Sequence, residues 1–128
     1  MDHESLKLWL DAYGRAWETR DPAAVVELFS EDATYQETPF SEPMHGRDAI
    51  RQYWVDSVEN YQEQIHFESE ILAIVGDVGI ARWRASFVRV ATGKGVRLDG
   101  VFLLTFSAQG LCRKLQEWWV RQDAKVEG

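Results

Sequence analysis

The amino-acid sequence predicts an α+β fold in which three helices precede an antiparallel β-sheet. Up to about residue 59, apolar residues recur at intervals of three and four, which is the spacing of one helix face. From about residue 64 onward they alternate with polar residues, as they do along half-buried strands. Helices followed by consecutive strands are typical of α+β domains. The 128 residues suit a single domain over 1–128, because no linker, repeat or low-complexity tract divides them.

Three helices are expected in the first half of the chain. The first spans about residues 4–19, and the second begins at Asp21 and Pro22, an N-cap followed by proline at the first helical position. The third spans about residues 47–59. A short strand at 33–37 and a loop at 38–46, in which prolines prevent regular structure, lie between the second and third helices. The apolar faces comprise Leu6, Trp9, Leu10, Tyr13 and Trp17 on the first helix and Ile50, Tyr53, Trp54 and Val58 on the third.

Four strands are expected in the second half, at 64–75, 78–90, 96–106 and 112–121, joined by turn-forming segments. Because side chains alternate between the two faces of a strand, the sequence also predicts which residues face the helices. This inner face is apolar apart from Ser69 and Glu117, and we expect no arginine on it. Its apolar members are Ile65, Phe67, Ile71, Trp83, Ala85, Phe87, Leu98, Phe102, Leu104, Phe106, Leu115 and Trp119.

The opposite, outer face of the sheet carries charges of both signs beside apolar residues. Arg82 and Arg84 are expected to form ion pairs with acidic residues of neighbouring strands. No helix remains to cover this face, which favours a homodimer interface; a solvated face with scattered apolar residues is the alternative. The acidic residues concerned are Glu68, Glu70 and Asp99, and the apolar ones are Val101, Leu103, Trp118 and Val120.

Composition narrows the classes of ligand and partner. The net charge of −7 argues against nucleic acid, whose phosphates require clustered Lys and Arg, and no basic run or long apolar stretch favours a membrane. The acidic N-terminal segment does not resemble a signal peptide, and the single Cys112 suits a reducing cytoplasm. His45 and scattered acids show no metal-ligand spacing, so neither a metal nor an organic cofactor is expected. Six Trp, six Phe and four Tyr are enough to line a pocket for a small hydrophobic molecule.

Two segments resemble the SnoaL-like branch of the nuclear transport factor 2-like superfamily, and within it ketosteroid isomerase. They are FSEDATYQE at 29–37 and PMHGRDAI at 43–50. The resemblance implies a cystatin-like cone, with three N-terminal helices packed on a curved antiparallel β-sheet that encloses a pocket. The order of helices and strands agrees with this fold over nearly the whole chain.

The resemblance also implies roles for individual residues. Glu37 falls where ketosteroid isomerase has its carboxylate base, and Tyr13 falls where it has a tyrosine that hydrogen-bonds the developing oxyanion. The pattern departs at Phe102, where the isomerase has a protonated aspartic acid. The predicted inner face also lacks the Asp-Arg-Asp relay of limonene epoxide hydrolases and the inward histidines of scytalone dehydratase. The aromatic residues implied to line the pocket include Phe29, Trp54 and Trp119.

Two carboxylates are candidates for proton transfer in the pocket, Glu37 and Glu117. A carboxyl group walled by aromatic rings loses hydration, which raises its pKa toward the range of a general acid or base. Each residue also has a structural interpretation: Glu37 as a solvated acid at a strand end, and Glu117 as the partner of the Tyr13 hydroxyl or as a residue displaced outward by a β-bulge. The candidate ligand-binding rings are Trp17, Phe29, Trp54, Trp83, Phe87, Phe102 and Trp119.

Two functions are consistent with these residues. The first is a cofactor-independent enzyme of isomerase, cyclase or lyase type, in which Glu37 moves a proton and Tyr13 stabilises the developing charge on a small apolar carbonyl or aromatic compound. The second is a non-catalytic module that binds a small hydrophobic ligand in the same pocket. The sequence leaves both open.

Overall fold

A computed structural model describes residues 1–123 of the chain. Helix α1 spans His3–Glu18 and helix α2 spans Pro22–Val26. Each begins after an aspartate whose side chain accepts a hydrogen bond from a backbone amide of the first turn, Asp2 at 2.8 Å and Asp21 at 3.0 Å. These contacts satisfy amide groups that have no partner inside the helix, and the one at Asp21 confirms the predicted N-cap.

Helix α3 spans Gly46–Trp54 and continues as one π-helical turn, Val55–Glu59. The start of α3 is tied to the sheet by Arg47, whose side chain donates two hydrogen bonds, at 2.9 and 2.7 Å, to the backbone carbonyl of Phe29. No helix within residues 1–123 is long and apolar enough to cross a membrane.

The strands form one curved, open sheet. They are β1 (Phe29–Gln36), β2 (Met44–His45), β3 (Gln62–Val75), β4 (Val78–Arg89), β5 (Gly95–Phe106) and β6 (Cys112–Asp123), in the spatial order β2-β1-β6-β5-β4-β3. Strands β3 to β6 make the predicted antiparallel meander. Strand β1 adds to it by pairing with β6 in parallel, which is the exception to the expected antiparallel sheet.

Strand β1 begins four residues earlier than the sequence pattern predicts, at Phe29 rather than at residue 33. Its pairing with β6 shifts register between Phe29 and Thr34, so the apolar alternation that marks a strand is interrupted there. Strand β2 lies inside the predicted loop, where Met44 and His45 pair with β1. Two paired residues are too few to show a period in the sequence.

The inner face of the sheet packs against α1 and α3 around Tyr13, as the alternation predicts. Tyr13 is 1% exposed, and its ring centre lies 5.3 Å from that of Phe102 on β5 and 5.4 Å from that of Trp54 on α3. Aromatic pairs at such distances contribute about 0.5–1.5 kcal/mol each beyond their buried area. This cluster therefore holds both long helices against the same part of the sheet.

The outer face carries the ion pairs that the sequence predicts. Arg82 donates two hydrogen bonds to Asp99, at 3.1 and 2.7 Å. Arg84 contacts Asp99 at 3.4 Å and Glu68 at 3.5 Å. These pairs join β3, β4 and β5 across the face that no helix covers.

Ser69 of β3 lies on the predicted inner face, opposite Trp83 of β4, but its side chain is exposed. Strand β3 forms an edge of the sheet, and its register with β4 shifts both before His66 and after Ile71. Much of its inner side is therefore left uncovered.

Gly100 on β5 generates a prediction about stability. A β-carbon there would approach the carbonyl oxygen of Trp118 to 2.5 Å and the β-carbon of Trp119 to 2.8 Å. Gly100→Ala is therefore expected to lower the free energy of unfolding by about 2 kcal/mol, the usual cost of overpacking. Thr105→Ala on the outer face of the same strand is the control, with an expected change below about 1 kcal/mol. Urea unfolding measures both, and equal losses would contradict the close packing at Gly100.

Candidate functional site

A cleft of about 350 Å³ opens between the helices and the inner face of the sheet. Helix α1, helix α3 with its π-helical turn, and strands β1, β3, β4, β5 and β6 contribute to its wall. Most of the residues that the sequence predicts for the site line this cleft, namely Tyr13, Trp17, Glu37, Trp54, Trp83, Phe87, Glu117 and Trp119.

Phe29 and Phe102 are predicted site residues that the structure places outside the cleft lining. Both are completely buried. Phe29 packs edge-on against Trp9, with ring centres 5.7 Å apart, and Phe102 stacks on Trp83 at 5.2 Å. They pack behind the residues that line the cleft. Alternation along a strand does not distinguish such buried residues from lining residues, because both face inward.

Glu117 is the only buried charged residue within the described part of the chain, at 5% exposure. It lies on the inner face of β6 directly opposite Phe102 of β5. Loss of hydration raises the pKa of Glu117 well above its ordinary 4.5, and the charge of Glu37 raises it further. A smaller, opposite effect comes from the Tyr35 hydroxyl. The carboxyl group is therefore held toward its neutral form.

The hydroxyl groups of Tyr13 and Tyr35 hydrogen-bond each other at 2.8 Å in the interior. Tyr35, and not Glu117, is therefore the hydrogen-bond partner of the Tyr13 hydroxyl. Burial raises the pKa of both tyrosines well above the ordinary 10.0, and the charge on Glu117 adds to the effect. Both hydroxyl groups consequently keep their protons and remain able to donate hydrogen bonds.

Glu37 directly follows β1 and is half-buried at the cleft. The indole of Trp119 donates a hydrogen bond of 2.8 Å to its backbone carbonyl, so β6 fixes the position of this residue. Tyr53 of α3 lines the same cleft, and burial raises its pKa, with further contributions from Glu117 and Glu37.

The sequence analysis did not identify Tyr35 or Tyr53 as site residues. Tyr53 lies on the predicted buried face of its helix. Tyr35 precedes Glu37 by two residues, which places the two side chains on the same face of an extended segment. That spacing is the signal that could have identified Tyr35.

The indole nitrogens in the cleft wall differ in their partners. Trp17 donates a hydrogen bond to the side chain of Gln62 at 2.8 Å. The buried N–H groups of Trp54 and Trp83 have no hydrogen-bond partner within residues 1–123. Trp54 stands nearly perpendicular to the rings of Tyr13 and Trp17, at 5.4 and 5.8 Å, an arrangement in which aromatic faces accept weak N–H contacts.

Two arginines line the cleft, where the sequence analysis expects none. Arg89 ends β4 and Arg121 lies near the end of β6, and both side chains are at least partly exposed. The prediction is wrong because the alternation that brings Phe87 and Trp119 inward continues for two more residues on each strand. The guanidinium of Arg89 lies 6.0 Å from the ring centre of Phe87.

Other reactive side chains form no second site. Burial raises the pKa of the Cys112 thiol to about 12, so it carries little thiolate near neutral pH. His45 is exposed and lies outside the cleft lining. Within residues 1–123, no group of three or more His, Cys, Asp or Glu side chains could hold a metal ion.

The burial of Glu117 predicts a pH dependence of stability. Because folding raises its pKa above 4.5, the native state binds this proton more tightly than the unfolded chain does. The stabilisation is fully present below pH 4.5 and is lost as the pH rises through the native pKa.

Glu117→Gln stays neutral, so its stability relative to wild type should increase with pH, by up to about 1.4 kcal/mol per pH unit. Urea unfolding over a pH series measures the difference, with the exposed Glu59→Gln variant as the matched control for loss of one charge. A difference for Glu117→Gln that does not change with pH would contradict the raised pKa.

Three solved structures share this fold over almost the whole chain. The epoxide hydrolase/cyclase-like enzyme SalBIII, which acts in pyran ring formation in the polyether salinomycin, is 22% identical, with a TM-score of 0.80 over 93% of each chain. A type 2 hexachlorocyclohexane dehydrochlorinase (LinA) is 9% identical, with a TM-score of 0.79 over 96% of this chain and 88% of its own. A computationally designed 17-OHP binder is 13% identical, with a TM-score of 0.78 over 94% of this chain and 98% of its own.

A search among curated proteins finds no match. The sequence profile of the SnoaL-like domain, however, matches residues 10–115. This match covers most of the chain, from the middle of α1 to the start of β6, and includes Tyr13 and Glu37. The chain therefore belongs to the family of SnoaL-like domains, with the cone fold of the nuclear transport factor 2-like superfamily.

Proposed function

We propose that this chain is a cofactor-independent enzyme that moves a proton at carbon next to a carbonyl group of a small apolar molecule. Glu37 is the base, and the Tyr13–Tyr35 pair together with neutral Glu117 stabilises the negative charge that develops on oxygen. The reaction class is isomerisation, cyclisation or elimination. Family membership and the enzymes of the same fold that catalyse cyclisation and dehydrochlorination support this class.

The observation that carries the proposal is the position of Glu117 opposite Phe102. Ketosteroid isomerase uses a neutral carboxylic acid as its second oxyanion donor, and Phe102 stands at that place in this chain. Side chains directly opposite on paired strands have β-carbons about 5 Å apart. Glu117 can therefore supply from β6 the donor that β5 lacks.

The two acids of the cleft have environments suited to different roles. Glu117 is buried and held toward the protonated form, which can donate a hydrogen bond. Glu37 is half-buried and begins the loop after β1, where a ligand in the cleft can reach it. Pairs of carboxyl groups in unlike environments commonly divide the acid and base roles in this way.

The remaining wall selects for an apolar ligand. Trp17, Trp54, Trp83 and Phe87 surround the cleft, and burying such rings against a ligand contributes about 25 cal/mol per Å² of apolar area. The volume of about 350 Å³ suits a small molecule of one to three fused rings or an equivalent chain.

The second candidate is a binding module without catalysis. The hydrogen bond between Tyr13 and Tyr35 favours it, because each hydroxyl already has a partner in the unliganded cleft. The designed 17-OHP binder, with the same fold, is a protein that binds a small molecule. In this alternative the cleft sequesters its ligand, and Glu37 contributes only solubility at the rim.

Proton transfer can be tested before the substrate is known. Wild-type protein should accelerate deuterium exchange next to the carbonyl of some members of a panel of small cyclic and aromatic ketones in heavy water. Glu37→Gln should lower that rate by about 10²–10⁴, because it removes the base. Glu117→Leu should lower it by about 10²–10³, whereas Glu117→Gln keeps a neutral donor and should lose less.

Mass spectrometry of the ketones measures the exchange, and circular dichroism checks that each variant is folded. Exchange by Glu37→Gln at the wild-type rate would exclude Glu37 as the base. Binding of ketones without exchange by any protein would favour the binding module.

We further propose that two copies associate through the outer sheet face and that the protein acts in the cytoplasm on a small hydrophobic molecule, not on nucleic acid or at a membrane. Trp118 and Val120 are 45% and 72% exposed there. A groove of about 830 Å³ is lined in part by Val120, Arg84 and Asp99. Charges of both signs on one face can pair with their own copies about a two-fold axis. The single Cys112 suits the cytoplasm.

The dimer predicts a change of mass in solution. Wild-type protein should have the mass of two chains by light scattering, and Val120→Asp should have the mass of one, because it buries a charge in the interface. Leu8→Asp, on helix α1 and 63% exposed, is the matched control and should stay dimeric. A wild-type protein of one-chain mass would contradict the interface.

A further inference from the structure

The charged residues that line the cleft differ in burial. They are two acids, Glu37 and Glu117, and two arginines, Arg89 and Arg121. Glu117 is buried, whereas Arg121 is exposed and Arg89 is half-buried. Glu117 is therefore the most buried of the four and Arg121 the most exposed, whereas Glu37 and Arg89 are both half-buried, in a chain whose net charge is −7.

The strand register gives the distance between the two ends. Glu117 and Arg121 are on the same face of β6 and four residues apart, which corresponds to about 13 Å along a strand. Between them, Trp119 lies beside Gly100 and Trp83, and the next row holds Leu98 and Ala85 beside Arg121. An apolar path of about this length therefore joins Glu117 to Arg121. Arg89 lies further along, four residues beyond Ala85 on β4, with its guanidinium beside Phe87.

The arginines are available to a ligand. Arg89 has no carboxylate partner within residues 1–123, and its guanidinium is held near the ring of Phe87. Arg121 contacts Asp123 at 3.3 Å, with half of its side chain exposed. Exposed ion pairs of this kind contribute little, so a ligand carboxylate that also touches Arg89 can compete with Asp123.

We propose that the cleft takes an elongated amphipathic carboxylate, whose apolar body lies along the aromatic wall and whose anionic head is bound by Arg89 and Arg121. This inference rests on the proposed small-molecule cleft and adds the chemical class of its ligand. The carboxylate fixes the molecule at the opening, so the reacting part lies about 13 Å away beside Glu37 and Glu117. Two guanidinium groups recognise one carboxylate through charge-assisted hydrogen bonds.

The test compares two probes that differ only in the head group. N-phenylnaphthylamine, a neutral dye that fluoresces in apolar sites, is first bound to the wild-type protein. Decanoate and decanol are then used to displace it. Decanoate should bind about tenfold more tightly than decanol, as expected for a partly exposed charge-assisted contact. The preference should decrease as salt is added.

The double variant Arg89→Gln/Arg121→Gln should bind decanol as wild type does and lose the preference for decanoate. The matched control is Arg51→Gln/Arg113→Gln, which removes the same charge from exposed positions outside the cleft and should keep the preference. The single variant Arg121→Gln should lose part of the preference for decanoate over decanol.

The outcomes separate this inference from the function on which it rests. Dye binding with equal displacement by decanoate and decanol would overturn the carboxylate proposal and leave the apolar cleft intact. A preference that survives in the Arg89→Gln/Arg121→Gln variant would also overturn it. Failure of the wild-type protein to bind the dye, decanol or decanoate would overturn the ligand-binding cleft itself.

Discussion

Strand β6 brings a carboxyl group into an aromatic interior, and the chemistry of the cleft depends on that burial. Glu117 lies between Leu115 and Trp119 on the inner face of β6. The strand therefore cannot bury those two residues and expose the acid without breaking its regular alternation. Removing a carboxylate from water is costly, and the protein reduces that cost by favouring the proton. A neutral acid in the cleft is therefore a consequence of the strand pattern, and Tyr13, Tyr35 and Tyr53 line the same cleft with further hydroxyl donors.

The helices complete this environment. Tyr13 of α1 and Tyr53 of α3 approach from above the sheet, and the aromatic contacts of Tyr13 hold both helices in place. The same contacts exclude water from Glu117 and leave Glu37, beyond the end of β1, at the edge of the buried region. Stability and function oppose each other here, because each rise in pH above the ordinary carboxyl range increases the cost of keeping Glu117 buried. Such a residue is more easily explained by a role in the cleft than by stability.

Much of this arrangement is predictable from the sequence, because the spacing of apolar residues along helices and strands indicates which side chains are buried. They correctly place Trp83, Phe87 and Trp119 with Glu117 on one face. They do not distinguish the lining residues from Phe102, which is buried beneath them, since both kinds of residue are apolar and point inward. The parallel pairing of β1 with β6 is also absent from the pattern, because its irregular register interrupts the alternation. Tyr35 lies within the predicted strand and was missed because its two-residue spacing from Glu37 was not used. The arginines also lie within predicted strands, and they were missed because only apolar residues were taken to mark the inner face.

The central claim is that the carboxyl group of Glu117 is held in its neutral form in the folded protein. NMR titration of the side-chain carboxyl carbons, with Glu117→Gln used to assign the signal, tests it most directly. The account predicts that the carboxyl group of Glu117 keeps its proton well above pH 4.5. A signal for Glu117 that titrates at the ordinary value of 4.5 would contradict it.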